Sequence, residues 1–125
     1  MTIQAAIDRI DEMVPNMFSD QQKVAWLSEV DGYVFREIFL THEGMPPGVT
    51  FAGYDQDTEM STVLLVPEPY HNIYEHYMAA QMADKNREMG EYAKEMTSFN
   101  NAWQTYADYY GRKHVPVQRV REFRF

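Results

Sequence analysis

Bulky apolar residues recur between Tyr92 and Tyr110 in alternating steps of four and three, at Tyr92, Met96, Phe99, Trp103, Tyr106 and Tyr110. A period near 3.5 places all six on one side of a helix, and a side of that kind has to be covered by another helix along its length. The segment therefore predicts a long packed helix, and none of its side chains proposes a reaction. From about Glu91 to Tyr110 it would run roughly 30 Å at 1.5 Å per residue. Burying the six seam side chains is worth on the order of 10 kcal/mol at most. Gly111 is placed to end the helix in a left-handed turn, with Arg112 and Lys113 beside its negative end.

The rest of the chain supplies helices for that seam to meet. Thr2 is an N-cap for Ile3, Ala6, Ile7, Ile10, Met13 and Val14, which fall on one stripe until Pro15 stops it. Ser19 and Gln22 form a capping box for a second helix. Its face is Val24, Leu27, Val30, Val34 and Ile38, continued to Leu40 and widened by Trp26, Tyr33, Phe35 and Phe39. Gly32 inside this helix reads as a point of close helix contact, since glycine there costs about 1 kcal/mol relative to alanine. Periodicity then vanishes from about residue 43 to 61, where Gly44, Pro46, Pro47, Gly48, Gly53, Asp55 and Asp57 predict a long irregular loop. Residues 61–66 are β-branched and apolar, a brief strand or an extended lead into the next helix.

Pro69 suits a first helical turn, and Tyr70, Ile73, Tyr74, Tyr77, Met78 and Met82 give helix three its stripe. A short break at 86–90 makes helices three and four an antiparallel hairpin. The expectation is an all-α protein: a helical bundle with a long antiparallel helical hairpin, one irregular loop and an extended C-terminal arm. Residues 1–114 form the helical domain and 115–125 the arm.

Charge divides the chain in the same place. The protein carries −8 overall, but residues 112–125 hold Arg112, Lys113, Arg119, Arg121 and Arg124 against Glu122 alone, so that segment is +4 and residues 1–111 are −12. An acidic body repels nucleic acid, whose affinity depends on clustered cations. A regulator binding DNA through five tail cations would be weak and salt-sensitive. The arm's apolar side chains, Val115, Val117, Val120, Phe123 and Phe125, return about 2 kcal/mol each at best, while ordering a residue costs roughly 1–2 kcal/mol. Such an arm needs backbone hydrogen bonds from another surface, and Val117, Arg119, Val120, Arg121, Phe123, Arg124 and Phe125 are the candidate docking residues.

Chemistry-bearing patterns are few. The chain has no cysteine, which excludes disulfides, thiolate metal sites and cysteine nucleophiles. His71 and His76 are five apart and point about 140° away from each other on a helix, so with Glu75 they do not make the zincin spacing of four. His42 beside Glu43 stands alone. Asp55, Asp57 and Glu59 lack the glycine and the final glutamate of a calcium loop, and no phosphate-binding glycine motif or nucleophile elbow occurs. No catalytic residue, cofactor or metal is expected. Asp8, Asp11 and Glu12 near the start argue against a signal peptide, and the apolar run Val63–Val66 is too short to span a bilayer. A small-ligand module built on the loop and the tyrosines has no residue pattern in its favour.

Leu64-Leu65-Val66-Pro67-Glu68-Pro69-Tyr70, Ile73-Tyr74, Tyr77, Gly90-Glu91-Tyr92, Phe99-Asn100, Tyr106, Tyr109-Tyr110 and Arg112 to Pro116 together resemble a family of small proteins of phages and prophages of Gram-positive bacteria. It is placed among the head-to-tail connectors, or adaptors, of long-tailed phages. The likeness covers roughly residues 62–116. It implies a structural virion protein in the neck, assembled in the host cytoplasm, whose copies form a ring, typically of twelve. The implied partners are the portal, the stopper or a tail-completion protein, and DNA only as cargo through the bore. A different neck or tail-completion role is the neighbouring expectation. Aromatic helices suit lateral contacts, an acidic lumen lets DNA slide, and adaptor termini commonly dock on the portal, which gives Arg119–Phe125 its expected use.

Overall fold

The computed structural model describes residues 1–117. Helix α1 spans Ile3–Met13, and the Ala5 amide donates to the Thr2 hydroxyl at 3.1 Å, so the cap read from sequence is made. Helix α2 spans Asp20–Val34 and is capped by Ser19, which accepts from the Gln22 amide at 3.1 Å. It does not continue as α-helix to Leu40. Phe35–Phe39 form a π-helical turn, in which the Leu40 amide donates to the Phe35 carbonyl at 2.9 Å. The widened turn puts Phe39 in the core and leaves Leu40 47% exposed.

Helix α3 spans Asn72–Lys85 and α4 spans Met89–Lys113. The two pack against each other in antiparallel fashion, and the seam lies within that pairing. Phe99, Tyr106 and Tyr110 are buried, while Tyr92, Met96 and Trp103 are half-buried. Phe99 meets Tyr77 of α3 with ring centroids 5.3 Å apart, Tyr106 meets Tyr70 at 5.5 Å, and Tyr110 stacks on Phe39 of the π turn at 4.9 Å. The seam's partner is therefore the chain's own α3 and π turn. Helices α1 and α2 complete one core, in which Ile3, Ile7, Ile10, Leu27, Val30, Ile73, Tyr74 and Met78 are essentially inaccessible.

Four local readings give way to tertiary geometry. Gly111 does not stop α4, which continues to Lys113 with His114 as its extended C-cap. Gly90 lies inside α4, and the left-handed residue of the hairpin turn is Arg87, at φ 61°. Pro69 sits in a turn ahead of α3 rather than in its first turn. Gly32 makes no helix–helix approach: a methyl there would meet only the Arg36 guanidinium, at 3.5 Å.

Among the described residues there is no strand, and the stretch near Ser61–Val66 is an extended lead that pairs with the N-terminus. The Ile3 amide donates to Thr62, Gln4 to Met60 and Leu64 to Met1, at 3.0, 3.0 and 2.9 Å. The first two bonds satisfy the Ile3 and Gln4 amides at the start of α1, which a helix cannot pair internally.

Candidate functional site

The expected docking arm starts from a fixed point. His42 and Pro116 form an antiparallel bridge, with the Glu43 amide donating to the Val115 carbonyl at 2.7 Å and the Val117 amide to the Thr41 carbonyl at 2.9 Å. The backbone partners that the arm needs are thus supplied, for Val115 to Val117, by the body of the same chain. Arg119, Val120, Arg121, Phe123, Arg124 and Phe125 lie outside the described residues.

Aromatic rings form the base of this clasp. Tyr110 stacks on the His114 imidazole with centroids 3.8 Å apart and planes 11° apart, while His42 meets the same phenol edge-on at 5.4 Å. His42 Nδ1 lies 2.8 Å from the Ile38 carbonyl and His114 Nδ1 lies 3.1 Å from that of Tyr110. A carbonyl only accepts, so both imidazoles carry hydrogen on Nδ1. Gly44 is required where the loop passes: its φ is +117°, and a methyl would stand 3.2 Å from the His114 ring. Burial raises the Tyr110 phenol above its usual pKa. The clasp presents apolar surface outward, since Val115 is 58% and Val117 43% exposed.

A second polar centre ties the long loop to the helices. Asp31 of α2 is completely buried. Its Oδ1 accepts the Tyr74 hydroxyl at 2.6 Å, and its Oδ2 accepts the Tyr54 hydroxyl at 2.5 Å and the Leu65 amide at 3.0 Å. The Tyr74 oxygen accepts in turn from the Val66 amide at 2.8 Å. Burial is the largest influence on the carboxyl and raises its pKa, against the lowering effect of the three donors. Both phenols are pushed far up, by burial first and then by the Asp31 charge. One turn earlier, Ser28 accepts the Tyr54 amide at 2.9 Å. Asp31 and Tyr74 are buried and Tyr54 and Leu65 partly so, and the centre orders the backbone of the loop.

Several ionisable groups are taken up in cross-helix contacts. Glu75 pairs with Arg9 of α1, His76 with Glu95 of α4 at 3.0 Å, and the buried Lys23 with Asp11 at 2.7 Å. The Lys23 hydrogen bond is the largest cause holding Asp11 below its ordinary pKa. Tyr77 donates to Glu29 at 2.6 Å. The His71–Glu75–His76 set is thus divided among different partners, and Asp55 turns its carboxylate onto the Asp57 amide and the Thr58 hydroxyl. Among the described residues no cluster of three His, Asp or Glu side chains is placed to hold a metal ion, and no helix is long and apolar enough to cross a membrane.

Sequence reading missed Asp31, Tyr54 and the His42–Tyr110–His114 stack. A signal for Asp31 does exist: it falls between Leu27 and Val34 at core spacing, an acid on an apolar stripe. For the stack, Tyr110 and His114 are one helical turn apart, but nothing in the sequence brings in His42, 68 residues before Tyr110. Comparison with family models, with curated proteins and with solved structures yields no match.

Proposed function

We propose that this protein is a structural component of a phage neck, a head-to-tail connector whose copies ring the DNA path between portal and stopper or tail, with no catalytic role. The resemblance of residues 62–116 to connector proteins suggests the class. The observation that carries the reading is the clasp between Thr41–Glu43 and Val115–Val117, which holds the chain just ahead of Arg119–Phe125. A docking element gains affinity when its base is held, because less chain entropy is lost on binding. The body's −12 charge suits a bore that DNA crosses without sticking, and the cationic arm suits an acidic protein surface. A dodecamer fits this class, with assembly in the host cytoplasm before incorporation into the virion.

Electron microscopy of the purified protein mixed with portal tests the proposal. Rings seated on the portal are the expected result, and monomers that never decorate it would sink the idea. Removing residues 118–125 should leave helicity intact and abolish decoration.

A further inference from the structure

The turn end of the α3–α4 hairpin, opposite the arm clasp, carries an open groove of about 460 Å³. Its floor is apolar, formed by Pro15, Ala79 and Met82, and its rim on α4 is acidic, formed by Glu88, Glu91 and Glu95. A neighbouring hollow shares Pro15 and extends the apolar surface to Met17, which is 99% exposed. Glu91 is only loosely engaged, with exposed Lys94 at 3.8 Å, a contact of little energy that an incoming guanidinium displaces. Glu95 already holds His76.

We propose that this groove receives the C-terminal arm of a second copy of the chain. Two arguments select that occupant. The first is chemical complementarity. Side chains alternate along an extended segment, so an arm bound in extended form would carry Arg119, Arg121, Phe123 and Phe125 on one face, two cations followed by two rings. That face matches a groove whose rim is carboxylate and whose floor is apolar.

The second argument is reach. The clasp holds Val117 beside Thr41, at the Tyr110 end of α4. Glu91 lies about 28 Å from Tyr110 along the helix axis, at 1.5 Å per residue. Arg119 and Arg121 are two and four residues beyond Val117 and their backbone extends at most about 14 Å, so these cations do not reach Glu91 of their own chain. A neighbour's groove, brought alongside by packing, is the one available to them. Arm at one end and receptor at the other make a head-to-tail contact, which closes into a ring or continues as a filament according to the rotation per subunit. The inference rests on the reading of the arm as the docking element.

The absence of native cysteine makes the test direct. Two single variants, Glu122→Cys in the arm and Asn86→Cys at the exposed groove edge, are mixed under mild oxidation, so that any bond between them joins two molecules. The control replaces Asn86→Cys with Asp57→Cys in the loop. Disulfide formation at least about tenfold faster than the control is expected, together with about tenfold weaker self-association on sedimentation of the Glu88→Lys/Glu91→Lys chain. Equal rates for groove and control would overturn the groove assignment, and so would self-association indifferent to the two reversals. If portal decoration is lost on arm removal in that case, the connector reading stands without the groove. An arm-deleted chain that both self-associates and decorates portal normally removes the reading on which the inference rests.

Discussion

The Asp31 carboxylate of α2 accepts the Tyr74 hydroxyl of α3 at 2.6 Å, across 43 positions of sequence. Through Tyr54, Leu65 and Val66 the same centre also fixes the loop between those helices, so a single buried acid decides the path of the chain from the π turn to α3. Buried donors without an acceptor are costly, whereas a satisfied network gives one ordered arrangement.

Replacing Asp31→Ala strands two phenols and an amide in the core. The expected loss is about 3–5 kcal/mol of unfolding free energy, measured by urea denaturation. Asp31→Asn retains an acceptor and should cost less than the alanine variant. Equal, small effects would show that water reaches the site.

The pH dependence of stability separates burial from hydrogen bonding at Asp31. Its pKa is raised in the folded protein, so its contribution is fully present below the ordinary value of 3.8 and is lost as pH rises through the higher folded value. The stability of the protein relative to Asp31→Asn, which does not titrate, should therefore fall across that window. A relative stability that climbs with pH would mean the three donors outweigh desolvation. Asp11, whose pKa is lowered, has the opposite sign and is present in both proteins, so it drops out of the difference.

Tyr110 supports the arm's base by stacking on both Phe39 and His114. Tyr110→Ala should cost about 3 kcal/mol, as other large aromatic truncations in cores do. Its more specific effect falls on the bridge. Hydrogen exchange at the Glu43 and Val117 amides should accelerate far more than exchange in α1, and uniform acceleration would show that the stack supports only the global fold.

Two glycine substitutions should have opposite effects. Gly53 has φ +87°, and a methyl there would sit 3.0 Å from the Ser28 hydroxyl, so Gly53→Ala should destabilise by about 1–2 kcal/mol. Gly32 lies in regular helix with only the movable Arg36 head nearby, at 3.5 Å. Gly32→Ala should stabilise by up to about 1 kcal/mol, raising the thermal midpoint. A loss at Gly32 would show that the Arg36 head does not give way to the methyl.

The chain's own order of residues determined its helices. Thr2 and Ser19 cap, Pro15 stops, and the seam from Tyr92 to Tyr110 faces a partner, because capping and amphipathic periodicity act within a few residues and leave marks that can be read. The same marks misplaced Gly90, Gly111, Pro69 and Gly32, since a glycine or proline records what the backbone tolerates and not what packing makes it adopt. Tertiary structure alone decided that the end of the seam, Tyr110, is covered by Phe39 of the π turn. It also decided that an acid on helix α2's apolar stripe is held by two distant phenols, and that the arm's first residues pair with Thr41–Glu43. Each of those contacts joins groups far apart in sequence, and their energies depend on burial, which no local pattern encodes.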